Sequence, residues 1–428
     1  MKPAAQIQAA IELLDVIIEE KRPADRLMAQ YFRDHRYIGS KDKLAISTWV
    51  YLALRQYASL VWRAEQCNLT PTARRIFLVA AKLAQQPIKE WFSGEQYCPR
   101  ELDQNERHAL PKIPGVDMTE APLWVQLNIP EWLMPQLQAS LGERFQTEMQ
   151  VLQEQASVDI RCNLLKASRE QVKTELLAQG MEAVETSVSP WGLRFDKRHA
   201  LFNQNAFKQG WFEMQDEGSQ LLALVTQVQP GDKVVDFCAG AGGKTLAMGA
   251  MMQNKGVVHA CDVHSKRLEN LSKRAKRAGV HNIQVHLMSS ERDKWVKRQV
   301  GRMDVVLIDA PCTGTGTWRR SPDAKWNLQA EDVQNLQTLQ HAILESAARL
   351  VKPGGKLFYA TCSLLQEENE QQIERFLSEN KEFAIMPIEL DAAHSSRYEL
   401  AGHQLRTYPA QSEMDGFFVA AMQRQPAE

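Results

Sequence analysis

No apolar run in this chain approaches the roughly 20 residues a membrane span needs. The opening Met1-Lys2-Pro3-Ala4-Ala5-Gln6 leads directly into a helical pattern, with no apolar segment of the signal-peptide kind. No membrane partner is expected, and the expected compartment is the cytoplasm. CxxC pairs are absent too: the seven cysteines (67, 98, 162, 238, 261, 312 and 362) are odd in number and scattered. That pattern argues against a disulfide framework and a zinc site, and no metal is expected. Net charge is nearly absent, −1 over 428 residues, so the whole molecule is no polycation seeking nucleic acid. No internal repeat or low-complexity tract stands out.

Charge is nonetheless uneven. Between Val263 and Arg302, eleven Lys and Arg oppose three acids. Such a patch, opened by Lys266 and Arg267, can bind phosphates on a neutral protein, although a solvated helix face explains the same run.

A chain of this length implies about two or three domains. The first hundred residues are helical in pattern, with Ile7, Ile11, Leu14, Ile17 and Ile18 at helical spacing and Ser40 an expected N-cap. Further helix is expected over 72–85, and the proline-bearing stretch 99–122 reads as a linker. Helices at 131–140 and 169–179 flank a strand at 158–163, an α+β pattern. From Asp232, strands are expected at 233–237, 257–261, 283–287, 304–308 and 356–359. Helices at 264–278 and 330–350 lie between them, and a last strand covers 416–422. This alternation implies an α/β doubly wound sheet. The expected division is 1–125 helical with its linker, 126–229 a small α+β connector, and 230–428 the α/β domain.

The segment Asp236-Phe237-Cys238-Ala239-Gly240-Ala241-Gly242-Gly243-Lys244-Thr245 joins a strand to a helix through glycines. Glycine lets a ligand approach the backbone, and the helix start offers free N–H groups. A P-loop would need glycine where Cys238 stands, which excludes an ATPase. A dinucleotide fingerprint would need glycine at Thr245, so that fails as well. S-adenosylmethionine uses a looser loop plus an acid ending the next strand, and Asp262 stands there to accept from ribose hydroxyls. Lys244 would contact the methionine carboxylate or face solvent; Asp236 would orient the loop or bind an amine. Cys238 reads as packing.

Two further cysteines each follow a strand closely, Cys312 in Asp309-Ala310-Pro311-Cys312-Thr313-Gly314 and Cys362 in Tyr359-Ala360-Thr361-Cys362-Ser363. Ligands gather at the carboxyl ends of parallel strands, where a thiol can attack. Cytosine C5 is a poor nucleophile until a thiolate adds to C6 and makes it enamine-like, and a second acid/base group then helps elimination. Two strand-end cysteines meet that need, while Asp309 could bond the base at N4 and N3. A tetrad of the kind used for exocyclic-amine methylation is absent.

These motifs resemble the Sun/Fmu-type RNA cytosine-5 methyltransferases, bacterial enzymes acting on small-subunit ribosomal RNA. Met214-Gln215-Asp216-Glu217-Gly218-Ser219-Gln220, Gly243-Lys244-Thr245, the two cysteine motifs with Thr315-Gly316, and Met414-Asp415-Gly416-Phe417-Phe418 carry the likeness. The resemblance implies a Rossmann-like class I methyltransferase domain behind an all-α NusB-like RNA-binding domain and the α+β connector, working as a monomer. It implies S-adenosylmethionine as cofactor, bound by 238–244, Asp262, Ser290 and Asp309, and RNA as partner. Cys362 becomes the nucleophile and Cys312 its assistant in proton removal or product release, with Arg319 and Arg320 meeting RNA phosphate. Two positions depart from the family pattern: Gly240-Ala241 replaces Ala-Pro in the loop, and Met288-Ser289-Ser290 lacks the adenine-side Asp. Transfer RNA as substrate, or an inactive RNA-binding assembly factor, remain as alternatives.

Overall fold

The computed structural model describes residues 1–426, the side chain of Ala392 excepted. The chain falls into two compact units, Met1–Gln155 with Trp318–Ala330, and Ala156–Thr317 with Glu331–Glu428. Residues 126–155 and 318–330 therefore group with the helices, where the sequence assigns them to the connector and the α/β domain.

The first unit is built on the helices Pro3–Glu20, Ala24–Asp34, Ser40–Arg55, Tyr57–Gln66 and Ala73–Leu83. Ile7, Leu14 and Ile17 share one core with Ile46, Val50 and Phe77, each at most 1% exposed, and Ile11 joins them, whereas Ile18 of the expected stripe is exposed. Ser40 is not a cap: it is the first helical residue, and extended Gly39 takes the N-cap position without a side-chain bond. Thr72 does cap, its hydroxyl accepting from the Arg75 N–H. Nor is 99–122 a bare linker. Asp103 and Glu106 form a capping box on the helix Gln104–Ala109, and fully buried Glu106 accepts two 2.9 Å bonds from Arg74.

The inserted segment Trp318–Ala330 satisfies helix ends of this unit. Asp323 accepts from the Ala24 N–H at 2.9 Å, supplying a cap that Pro23 cannot. Lys325 and Trp326 donate to the Arg55 and Leu54 carbonyls at 3.1 and 2.7 Å, two of the four a helix leaves open at its end. Burial pushes the Lys325 ammonium down to about 7, with Arg55 adding to the effect.

The second unit holds two sheets. Strands β1 (Val158–Cys162), β2 (Val184–Glu185), β3 (Gly192–Phe195) and β4 (Phe212–Met214) form an antiparallel sheet in the order β2-β3-β1-β4. The larger sheet contains β5 (Lys233–Asp236), β6 (Val257–Asp262), β7 (Ile283–Leu287), β8 (Met303–Asp309), β9 (Val351–Thr361), β10 (Phe383–Ile385), β11 (Glu399–Ala401), β12 (Gln404–Thr407) and β13 (Phe417–Arg424). Its order is β11-β12-β13-β9-β8-β5-β6-β7, with β10 paired to β13. Strands β5 to β9 run parallel and β13 lies antiparallel to β9. Val234, Val235, Leu307, Phe358 and Ala360 are fully buried, as sheet strands covered on both faces require. The parallel pairing brings Asp236, Asp262, Asp309 and Thr361 to one edge, at the switch point between β5 and its two neighbours. Among the described residues no helix is long and apolar enough to cross a membrane.

Candidate active site

The glycine loop leaves β5 and turns at Gly242, whose φ of +87° an L side chain rarely adopts and whose Cβ would meet Leu271 Cγ at 2.5 Å. Gly242 thus makes the turn and does not line the cavity. Gly240, at φ +54°, faces open space. Asp262 accepts from the Gly240 N–H with one oxygen and from the His264 N–H with the other, both at 2.8 Å. Arg161 donates to the Gly243 carbonyl at 2.6 Å and Arg274 to the Ala241 carbonyl at 2.7 Å, bracing the loop from below and beside. Arg274 and Arg277 also pair with Glu213, so these two members of the basic run are structural.

Around this loop lies a cavity of about 700 Å³. Of the residues expected to hold a cofactor, Cys238, Ala239, Gly240, Ala241, Gly243, Lys244, Asp262, Ser290 and Asp309 line it, as do both cysteines of interest. Its unforeseen apolar walls are Phe237, Val263, Met288, Leu339 and Ile343. Sequence offers a weak signal for Phe237, Val263 and Met288, apolar residues just past strand ends, and none for Leu339 and Ile343, which lie within the helix Ala330–Ala348. Lys244 does not face solvent: its ammonium donates to Asp309 at 2.6 Å. Burial alone would lower the Lys244 pKa, but the contact with Asp309 outweighs it and the net shift is upward. Asp236 accepts from the Thr245 hydroxyl at 2.6 Å, while its other oxygen is buried with no partner. Burial raises its pKa to about 6, against the opposing pull of Thr245 and Lys244.

That shift sets a pH dependence. Between pH about 4 and 6 the native Asp236 keeps a proton that the unfolded chain has released, so stability falls as pH rises through this window. Two pKa units correspond to about 3 kcal/mol. Asp236→Asn is expected to stabilise the protein at pH 8 relative to its effect at pH 4, read by thermal unfolding of both proteins. An equal difference at the two pH values refutes the assignment.

Cys312 Sγ and Cys362 Sγ stand 3.3 Å apart, and neither is in a disulfide. The hydrogen bond to Cys362 and then burial push the Cys312 thiol well up. The two loops are stitched together: the Gly316 N–H donates to the Cys362 carbonyl at 3.0 Å, and the Leu364 N–H to Thr315 Oγ1 at 2.7 Å. Beneath them lies Glu368, fully buried and accepting from the Thr313 N–H at 3.0 Å and the Gln340 amide at 2.8 Å. Sequence reading missed Glu368, since an acid in Glu367-Glu368-Asn369-Glu370 looks like an exposed helix start.

The remaining motifs act as supports. The Asp415 N–H donates to Asp216 at 3.2 Å, and Gly218 leaves room for the Phe417 ring. Asp159 and Arg194 form a bidentate pair at 2.8 Å, and Glu217 receives the Val188 and Ser189 N–H groups. Of the four residues nominated for RNA, Lys266 and Arg267 are exposed on the helix Ser265–Ala278, and Arg267 also lines the cavity. Arg319 departs from expectation: it is only 5% exposed, with its carbonyl taking a 3.0 Å bond from Arg55. Arg320 is half-buried.

Comparison with known proteins gives the same picture. Residues 129–201 match the ferredoxin-like domain of RsmF/B-like methyltransferases, and residues 223–423 match the 16S rRNA methyltransferase RsmB/F family. The probable ribosomal RNA small subunit methyltransferase B of Synechocystis sp. is 33% identical over 312 residues, 72% of this chain and 70% of that protein. The ribosomal RNA small subunit methyltransferase B of Pasteurella multocida is 33% identical over 70% of this chain and 66% of its own. The crystal structure of PH0851 superposes with a TM-score of 0.81 at 27% identity, covering 99% of each chain. With its glycine loop, strand-end acids and paired cysteines on that shared fold, the chain belongs to the RsmB/F family of 16S rRNA methyltransferases.

Proposed function

We propose that this protein transfers a methyl group from S-adenosylmethionine to C5 of a cytosine in small-subunit ribosomal RNA, through a covalent bond from Cys362 to C6. The observation that carries this reading is the pair of thiols 3.3 Å apart at the carboxyl edge of the sheet, opening onto the cavity of the glycine loop.

The cavity fits the methyl donor. Four acids, Asp236, Asp262, Glu291 and Asp309, line it beside two cations, Lys244 and Arg267, a net negative setting suited to a sulfonium and an α-amine. The unpartnered oxygen of Asp236 matches an amine N–H. Asp262 has spent one lone pair per oxygen on the backbone and keeps capacity for ribose hydroxyls. Ser290 would bond the adenine amine, and Lys244, paired with Asp309, would meet the methionine carboxylate or set the charge of Asp309. When bound, the cofactor supplies an electrophilic methyl group.

Attack by Cys362, as thiolate, would form the S–C6 bond and move the C5=C6 electron pair to C5, which would take the methyl group as its bond to the sulfonium sulfur breaks and a neutral thioether leaves. Loss of the C5 proton to Cys312 then restores the double bond and expels Cys362 as thiolate. The rise in the Cys312 pKa comes first from Cys362. The S–C6 bond removes that influence while burial still acts, so Cys312 gives its own proton to solvent before it takes the one from C5. Asp309, about a third exposed, can hold the cytosine amine. The target base must be unpaired or flipped, because a stacked C6 is out of reach. Lys266, Arg267 and Arg320 are the proposed phosphate contacts.

Tritiated S-adenosylmethionine with unmodified small-subunit ribosomal RNA tests this, with transfer RNA as the comparison. Label is expected in 5-methylcytosine of the ribosomal RNA. Label only in transfer RNA moves the substrate, and label in neither favours a non-catalytic binder.

A further inference from the structure

The turn that follows Cys362 contains two adjacent buried polar residues that no step of the reaction uses. Glu368 and Asn369 are both 0% exposed. Asn369 sits at the N-cap of the helix Glu370–Glu379, where asparagine ordinarily accepts from the helix N–H groups, yet its side chain makes no cap bond. Instead its amide spans the peptide around Cys362. The Thr361 hydroxyl donates to Asn369 Oδ1 at 2.5 Å, and Asn369 Nδ2 donates to the Ser363 carbonyl at 2.9 Å.

Glu368 does the equivalent for Cys312. Its Oε1 accepts from the Thr313 N–H at 3.0 Å and its Oε2 from the Thr313 hydroxyl at 2.5 Å, just after that cysteine. Gln340, also 0% exposed, donates from one nitrogen to Glu368 Oε1 at 2.8 Å and to the Pro311 carbonyl at 2.9 Å, just before it. The Glu368 carbonyl is itself held by the Tyr359 hydroxyl at 2.8 Å.

We propose that Glu368 and Asn369 form one clamp that positions both thiols, Glu368 with Gln340 gripping the peptide on either side of Cys312 and Asn369 gripping it on either side of Cys362. Two neighbouring residues on one turn cannot move independently, so the spacing of the sulfurs is set by their shared backbone. A buried carboxylate receiving several donors at good geometry is costly to loosen, which makes the spacing stiff. This inference deepens the cysteine mechanism and rests on it for its catalytic consequence.

Two readouts separate the clamp from the mechanism. Diamide accepts two hydrogens as one thiolate adds to its N=N bond and the second thiolate displaces the hydrazine; at diamide concentrations where the rate no longer rises with diamide, closure reports how often the sulfurs meet. Measured on the full chain by the mass of the Cys312–Cys362 linked peptide, Glu368→Gln and Asn369→Ser are each expected to slow closure at least about fivefold. Closure at or above the wild-type rate in both variants overturns the clamp. Should Glu368→Gln melt below the assay temperature, Gln340→Met, which frees the Pro311 carbonyl and leaves Thr313 held, carries the Cys312 side with the same expected slowing.

In RNA methylation, Glu368→Gln is expected to accumulate a protein–RNA adduct as Cys312→Ala does, with turnover down about tenfold and the KM for RNA nearly unchanged. Asn369→Ser should lose turnover without an adduct. Unchanged turnover in both variants overturns the positioning role. If Cys312→Ala itself gives no adduct, the cysteine assignment fails, while the disulfide rate still judges the clamp.

Discussion

Cys362→Ala is expected to lower methylation by about a thousandfold or more, the scale on which a lost nucleophile acts. In the proposed reaction the physical reason lies in the substrate: cytosine C5 carries too little electron density to attack a sulfonium unless C6 has first been occupied. Of the two cysteines left in the lining, Cys238 is pushed well up by burial and then by Asp309, and Cys312 is held well up by burial even without Cys362. Cys312→Ala should behave differently, because attack and methyl transfer need only Cys362. The variant is expected to hold RNA in a denaturation-resistant adduct that carries the tritiated methyl group. Label incorporation and gel retardation on the same samples measure both outcomes. Near-normal turnover in Cys362→Ala would mean that the other thiol attacks, and an adduct in Cys362→Ala but not in Cys312→Ala would exchange the two roles.

The second large effect is on stability, at Gly316→Ala. Gly316 has ordinary backbone angles, so its requirement is one of space: an added Cβ would be driven onto the Gly416 carbonyl, a backbone group that no side-chain rotation can clear. Gly416 in turn donates its N–H to the Gly316 carbonyl at 2.9 Å, and its own added Cβ would reach Leu364 at 2.7 Å. Three sequence motifs distant in the chain therefore meet backbone to backbone. Overpacking of this kind costs up to about 3 kcal/mol, occasionally more. For a unit of this size that lowers the melting temperature by roughly 6–12 °C. Gly115→Ala is the control, having no neighbour within 4 Å and no positive φ, and is expected to be near neutral. Thermal unfolding of the two variants beside the wild type decides the matter; equal, small shifts would show that the Gly316–Gly416 contact yields easily.

The parts of the site that were legible in the sequence share one property. Strand periodicity, the glycine loop and the residues just beyond each strand are encoded within about ten consecutive positions, and a parallel sheet then sends all those strand ends to one edge. That is why Asp236, Asp262, Asp309 and the two cysteines could be named together, and why β5 to β9 lie close to their expected positions. Local reading misled where a tertiary partner overrode a local preference. Proline-rich text at 99–122 looked like linker because the partner of Glu106, Arg74, lies 32 residues away. Arg319 looked like surface because its burial depends on helices written near the start of the chain.

By itself the sequence determined the element types, the loop that suits a nucleoside cofactor, and the presence of two strand-end thiols. Only the tertiary structure decided that Cys312 and Cys362, 50 residues apart, stand 3.3 Å from each other. It alone turned Lys244 onto Asp309, gave 318–330 to the helical unit, and placed Glu368 and Asn369 beneath the cysteines. The physical reason is the range of the interactions. Backbone preferences and periodicity act between near neighbours, whereas sulfur spacing and buried hydrogen bonds depend on the register of β8 against β9 and on what packs below it.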